Sequence, residues 1–326
     1  MLPFIKALWG PKAIHRLDMA MGTVVTQLVH GKGAREAVEA TAKELRRLEK
    51  LLSFHDPDSD INKINASAGL KPTSVHPDVI SALNIALRVS ELSLGAFDVT
   101  VGPLVRLWDF RSRHPTLPDI GDIEAGLALV DYTSIDMTAE PPMVYVSSPG
   151  QSIDLGGVAK GHVTDRMGQV LGAHGVRSAC LNLGGNVLVI GVKPDGKLWE
   201  VGLQHPAGEQ GKYFAVVLAA DKSIVTSGVY ERYFEFAGEK YHHIIDPRTG
   251  WPAESGVFSA TIVGESSALA DAVATAVLVM GLEQGIELVR RLGLEAVVVT
   301  ADNRIYATDG LADAIHFVQG LSPCLI

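Results

Sequence analysis

The sequence predicts an α+β fold, a largely antiparallel sheet with helices segregated beside it. Three observations carry this. Segments of strand character crowd the second half of the chain. Most links between them are too short for the crossover helix that a parallel pairing needs. And 326 residues with 47% hydrophobic and 20% charged side chains suffice to bury a large core, as one large domain or two intimate ones.

Taken in order, Thr23 to His30 alternates as a strand, and Ala34 to Leu52 places Val38, Leu45, Leu48 and Leu52 at helical spacing. A second helix begins at Pro77, whose fixed φ suits a first turn, and runs through Ile80, Leu83 and Leu87. From Arg111 to Pro142 prolines, glycines and scattered charges predict a long surface connection with one short helix. Strands follow at Met143 to Ser147 and Ser152 to Leu155, then a helix after Gly161. The strand-rich part comprises Cys180 to Leu183, Val187 to Val192, Trp199 to Gln204, Phe214 to Ala219, Ser223 to Thr226, Tyr233 to Phe236 and His242 to Ile245. An apolar helix around 266 to 281, a helix near Gln284 to Arg291, and strands at Ala296 to Thr300 and Arg304 to Ala307 close the pattern.

The net charge is −9 with no basic tract, which argues against nucleic acid as a partner. Two cysteines, Cys180 and Cys324, are too few for a disulfide framework. Met1 to Gly10 lacks the apolar stretch and small-residue cleavage site of an export signal, no cysteine nearby offers a lipid site, and Cys324-Leu325-Ile326 is one residue short of a prenylation signal. The helix around 266 to 281 is broken by Asp271 and Thr275 and falls short of a membrane span. The expectation is a soluble, cytoplasmic protein without an integral membrane segment.

Five groups of residues have chemical potential. Asp271 and Thr275 stand one turn apart in a run of alanines and valines, where a carboxylate needs a partner. Together they can face one oxygen-preferring ion such as Mg²⁺; equally, Asp271 can meet a buried arginine or cap a loop while Thr275 bonds its own backbone. The run Ile153 to Gly161 places glycines and Lys160 at a helix start, which suits an anion, or is an ordinary strand-to-helix turn. It is neither a Walker loop nor a dinucleotide fingerprint.

In Gly95 to Pro103, Asp98 can hold a polar ring edge, or Phe97 and the downstream Trp108 are simply core. In Tyr241 to Gly250, Asp246-Pro247-Arg248-Thr249-Gly250 is good turn chemistry, and the histidines before it can take a proton at neutral pH. Alternation puts His243 with Ile245 on one face and His242 on the other. Thr226 and Ser227 can bind phosphate or satisfy a turn.

Their order is more specific than any one of them. Met21-Gly22-Thr23, Ser53 through Asn65, Gly95-Ala96-Phe97-Asp98, Asp154 to Gly161, Asn182-Leu183-Gly184-Gly185, Thr226-Ser227-Gly228, His243 to Gly250 and Ala270 to Thr275 together resemble the ApbE family, the FAD:protein FMN transferases. The resemblance runs from about Met21 to Gly281, leaving 1–20 as an N-terminal extension before a domain over 21–326. It implies an ApbE-like, T-fold-like α+β architecture and FAD with Mg²⁺. It further implies transfer of the FMN moiety to a Thr or Ser hydroxyl of an acceptor flavoprotein, with release of AMP.

Carried over by position, Met21, His55, Ala96, Phe97, Asp98, Asp154, Lys160 and Ile245 would line the FAD site, and Asp271, Thr275 and the Gly157 carbonyl would hold the metal. His243 is the residue assigned to the acceptor proton. The chain departs from the family at His55, where a Tyr usually stacks on the flavin, at Val229, which lacks the usual polar side chain, and at Gly156 and Gly157. The alternatives are an FAD pyrophosphatase, with water as acceptor, and a flavin-binding protein without turnover.

Overall fold

The computed structural model describes residues 13–112, 114–204, 212–318 and 321–326. Strands β1 (Ala13–Ala20) and β2 (Thr23–His30) lead to helices α1 (Ala34–Leu52) and α2 (Asp60–Ala66), strand β3 (Thr73–Ser74), and helices α3 (Pro77–Leu92), α4 (Gly102–Trp108) and α5 (Ile120–Leu127). Strands β4 (Ile135–Ala139) and β5 (Pro142–Val146) precede α6 (Ala159–Ala173). Then come β6 (Ser178–Leu183), β7 (Asn186–Ile190), β8 (Trp199–Gln204), β9 (Tyr213–Ala219), β10 (Lys222–Gly228), β11 (Tyr233–Phe236), β12 (Glu239–His242) and β13 (Val257–Gly264). Helices α7 (Ser267–Met280) and α8 (Leu282–Arg291) and strands β14 (Glu295–Thr300), β15 (Ile305–Ala307), β16 (Ile315–Phe317) and β17 (Cys324–Leu325) follow.

A nine-stranded sheet of order β1-β2-β6-β7-β10-β13-β14-β15-β17 organises the molecule. Its pairings are antiparallel except β15 with β17. Helices α1, α6 and α7 cover one face, around Val38, Leu45, Val163, Met167, Val273 and Val277. The three-stranded sheet β16-β9-β8 covers the other through Trp199, Val201, Phe214 and Val217. Burial on both faces explains why central strands such as β7 and β14 are continuous apolar runs rather than alternating ones.

The predicted α+β class is therefore observed, with several local corrections. Strand β1 lies within the segment read as an extension before Met21, and residues 1–12 fall outside the described ones. Ser152 to Leu155 is extended but forms only a single bridge, Ser152 with Val101. The strand expected over His242 to Ile245 ends at His242, because the turn beginning at Asp246 pulls the chain away; Ile245 keeps one bridge, to Pro252. The connection from Arg111 to Pro142 holds the expected short helix, α5, and also strand β4. Helix α6 starts at Ala159, ahead of Gly161. Helix α4 and strand β13 were not anticipated, since β13 is rich in small and hydroxyl residues buried on both sides. No helix among the described residues is long and apolar enough to cross a membrane.

The crossing of α6 and α7 places the site. Asp165 of α6 accepts hydrogen bonds from Ser266 Oγ (2.9 Å) and from the backbone N–H of Ser267 (2.7 Å) and Ala268 (3.0 Å), capping α7 from outside. The helices touch at Gly161, where a Cβ would come within 2.3 Å of the Ser267 carbonyl oxygen and 2.6 Å of Ala268 Cα. Gly161→Ala must therefore push the helices apart, and should lower stability by about 1–3 kcal/mol or more, read from urea unfolding. An unchanged midpoint would contradict this crossing.

Candidate functional site

Every residue that the resemblance assigned to the flavin or the metal, together with His243, lines one cleft of about 400 Å³: Met21, His55, Ala96, Phe97, Asp98, Asp154, Gly157, Lys160, His243, Ile245, Asp271 and Thr275. A cleft of this size is within the range of small-molecule sites. Its walls come from the β1–β2 turn, the loop after α1, the loop before α4, the start of α6, the chain after β12, and α7.

Local chemistry fixes each wall. Met21 and Gly22 both have positive φ, 51° and 70°, and make the two-residue turn between β1 and β2. The Met21 N–H donates to the Glu49 carboxylate. After α1, Ser53 Oγ accepts from the N–H of His55 and of Asp56, and Asn62 Nδ2 donates to the carbonyls of Phe54 (2.9 Å) and Asp56 (2.8 Å). Thus the serine and asparagine of the Ser53–Asn65 motif shape the loop bearing His55. Asn65 pairs both ways with Ile153, its Nδ2 donating to the carbonyl at 3.0 Å and its Oδ1 accepting from the N–H at 2.7 Å. This side chain takes the place of a neighbouring strand beside Asp154.

At the cleft floor stands Asp271, 1% exposed. Its Oδ2 accepts from the N–H of Gly161 at 2.9 Å, in the first turn of α6. Its Oδ1 lies 3.7 Å from Lys160 Nζ, longer than a well-formed charge-assisted hydrogen bond. Burial pushes the Asp271 carboxyl pKa up, and the Lys160 charge and the Gly161 amide oppose this. Thr275 Oγ1 bonds only its own helix, donating to the Asp271 carbonyl at 3.3 Å. A Cβ on Gly157 would lie 3.3 Å from Thr275 Oγ1 and 2.7 Å from the Phe97 ring, so only glycine lets this backbone come so near.

Carboxylate, hydroxyl and nearby main-chain carbonyl form an all-oxygen set, which fits a hard cation that keeps part of its water. Among the described residues no group of three or more His, Cys, Asp or Glu could hold a metal instead. Asp154, whose pKa burial also raises, accepts from the Gly156 N–H at 2.7 Å.

Other candidates divide between structure and cleft. Asp98 lines the cleft, yet its oxygens accept from Thr100 N–H (2.7 Å), Thr100 Oγ1 (2.6 Å) and Tyr132 N–H (3.1 Å), tying two loops together. Thr226 turns away to pair with Thr261 across the strands at 2.8 Å, while Ser227 faces the cleft. Asp246 binds Arg248 through both oxygens, which closes the Asp-Pro-Arg-Thr-Gly turn, and Arg248 also donates to the Val279 carbonyl at 3.3 Å. His242 bonds to the Ala253 carbonyl outside the cleft.

His243 enters the cleft, and its Nδ1 lies 3.2 Å from the Arg232 carbonyl. A carbonyl only accepts, so Nδ1 carries the proton and Nε2 keeps its lone pair. Burial pushes the imidazole pKa down to about 4, helped by the Arg232 charge.

Other groups at the cleft and behind it escaped the sequence reading. Glu49 fixes the Met21 turn. Arg111 and Arg232 converge on Gly22, where their terminal nitrogens would lie 3.7 and 3.4 Å from a Cβ. Together with burial they lower the His55 pKa, so this rim of an acidic protein is cationic. Asn186, behind Lys160, accepts from Nζ at 3.2 Å. Its place directly after Asn182-Leu183-Gly184-Gly185 was the available signal.

The sequence model of the ApbE family matches residues 21–298. This chain belongs to the ApbE family. It is 35% identical over 322 residues to an FAD:protein FMN transferase of Treponema pallidum (strain Nichols), covering 93% of this chain and 89% of that one. A protein of the same name from Klebsiella pneumoniae (strain 342) is 34% identical over 262 residues, covering 80% and 81%. Among solved structures, the ApbE protein of Thermotoga maritima superposes with a TM-score of 0.84 at 33% identity, covering 92% of this chain and 98% of that one. The flavin transferase ApbE of Vibrio cholerae does so at 0.84 and 26%, covering 93% and 99%.

For this ApbE-family chain the depressed pKa of His243 has a definite sign: the neutral, proton-accepting form persists from neutral pH down to about 4. An NMR titration of the imidazole in the ligand-free protein should give a midpoint near 4, with the charged form appearing only below it. A midpoint near the ordinary 6.5 would contradict the desolvation of this half-buried ring.

Proposed function

We propose that this protein transfers the FMN moiety of FAD to a Thr or Ser hydroxyl of an acceptor flavoprotein and releases AMP. The single observation supporting it most is the floor of the cleft, where a buried carboxylate and a hydroxyl one turn apart on α7 adjoin a glycine backbone and a lysine. The names borne by the relatives favour the same reading.

Asp271, Thr275 and the Gly157 carbonyl are the groups that would hold Mg²⁺. Bound there, the cation would supply charge neutralisation for the diphosphate. Lys160 offsets charge that grows on the bridging and terminal phosphate oxygens. Met21, Ala96, Phe97 and Ile245 offer apolar surface to the dinucleotide, and His55 offers an imidazole. The acceptor oxygen bonds to the FMN phosphorus while the phosphorus–oxygen bond to AMP breaks and its electron pair leaves with AMP. The hydroxyl proton passes to His243 Nε2, which is unprotonated at neutral pH. Holding both reactants in one cleft supplies much of the rate in a reaction of this kind.

The test incubates the protein with FAD, Mg²⁺ and an acceptor flavoprotein, and reads AMP release together with the acceptor's mass. The expected result is an FMN adduct on Thr or Ser that disappears under chelation. AMP without an adduct would indicate a pyrophosphatase, and bound FAD without AMP a flavin carrier; either would overturn the transferase reading. Asp271→Ala should lower Mg²⁺-dependent turnover by at least about a hundredfold. Full activity with unchanged metal demand would reject the role given to Asp271.

A further inference from the structure

Asn186 is the first residue of β7 and is fully buried. The turn before it is built to place it. Asn182 Oδ1 accepts from the Gly185 N–H at 3.0 Å, and Gly184 and Gly185 have φ of 55° and 96°, which closes the β6–β7 hairpin and sets Leu183 opposite Asn186. A buried amide at a strand start satisfies itself most simply with backbone. This one does not. Its Oδ1 accepts from Lys160 Nζ at 3.2 Å, while its Nδ2 makes no well-formed hydrogen bond and faces the Asp271 carboxylate, whose pKa it lowers.

Lys160 is therefore closer to a neutral amide than to the carboxylate 3.7 Å away. Electrostatics alone would reverse that order, since an ammonium gains more from a charged oxygen than from an amide. The difference matters because Oδ2 of Asp271 is already engaged by Gly161, and Oδ1 is the oxygen left. An ammonium collapsed onto Oδ1 would compete with any cation for it.

We infer that Asn186 is a positioning residue: it holds the Lys160 ammonium off Asp271 Oδ1, leaving that oxygen open to a divalent cation and the ammonium free for a phosphate. This rests on the reading of Asp271 as a metal ligand. Asn186 itself touches neither cation nor reacting atoms.

Binding of Mn²⁺ to the flavin-free protein, followed by titration calorimetry or by the electron-spin signal of free Mn²⁺, tests this without turnover. Asn186→Leu should weaken Mn²⁺ by about tenfold, the usual scale for a group supporting a ligand from behind. Asn186→Asp, which still accepts from Lys160, should bind at least as tightly as the parent. In a Lys160→Met background, Asn186→Leu should change Mn²⁺ affinity less than about twofold, because the residue it controls is gone. Wild-type affinity in Asn186→Leu, or a tenfold loss persisting in the Lys160→Met background, would overturn the inference. The Asp271 reading fails separately: Asp271→Asn would then bind Mn²⁺ as the parent does, whatever Asn186 does.

Discussion

A carboxylate buried in a helix of alanines and valines is the constraint around which this protein is arranged. Helix α7 is buried along nearly its whole length, which suits a central core element and makes a charge on it costly, by several kcal/mol before compensation. The compensation at Asp271 is partial. One oxygen has a backbone N–H at the start of α6; the other has a lysine at 3.7 Å, and the Asn186 amide adds its own stabilisation of the carboxylate. The charge is thus tolerated rather than satisfied. That state favours a cation, whose arrival would repay the burial.

The rest of the architecture serves to bring loops to that point. The nine-stranded sheet packed on both faces provides a rigid frame. Across it α6 and α7 cross at Gly161, close enough for the N-terminus of one to meet the carboxylate of the other. Polar side chains then fasten the irregular segments: Asn62 holds the loop of His55, Asn65 holds Ile153, and Asp98 ties its own loop to Tyr132. Trp108 extends the network by donating from Nε1 to the Gly250 carbonyl, bringing the chain after β12 over the cleft. Precision comes here from hydrogen bonds, because loops lack the repetitive packing of helices and strands.

Much of this was legible in the sequence, for identifiable reasons. Helix α1 and strand β2 have the observed bounds because their apolar spacing is long and clean, and α3 begins at Pro77 because proline suits a first turn. The i, i+4 spacing of Asp271 and Thr275 announced one helix face. What escaped notice depends on tertiary partners. Strand β13 carries Ser259, Ala260 and Thr261, an undistinguished pattern until both of its faces are covered. The run at 152–155 stays outside the named strands: Ser152 bridges only Val101, and the Asn65 side chain takes the backbone groups of Ile153 that a neighbouring strand would use. Arg111 and Arg232 meet at Gly22 from the chain after α4 and the chain before β11, and Asn186 reaches Lys160 from β7, distances in sequence across which no local pattern speaks. The order of the motifs, more than any single spacing, made the family visible.

The most direct measurement is a crystal structure of the protein soaked with FAD and Mn²⁺, with anomalous scattering used to locate the metal. The account predicts a peak between the Asp271 carboxylate, the Thr275 hydroxyl and the Gly157 carbonyl, with the diphosphate beside it and Lys160 still bonded to Asn186. Density for FAD in the cleft with no metal there, and Lys160 drawn onto Asp271, would contradict it.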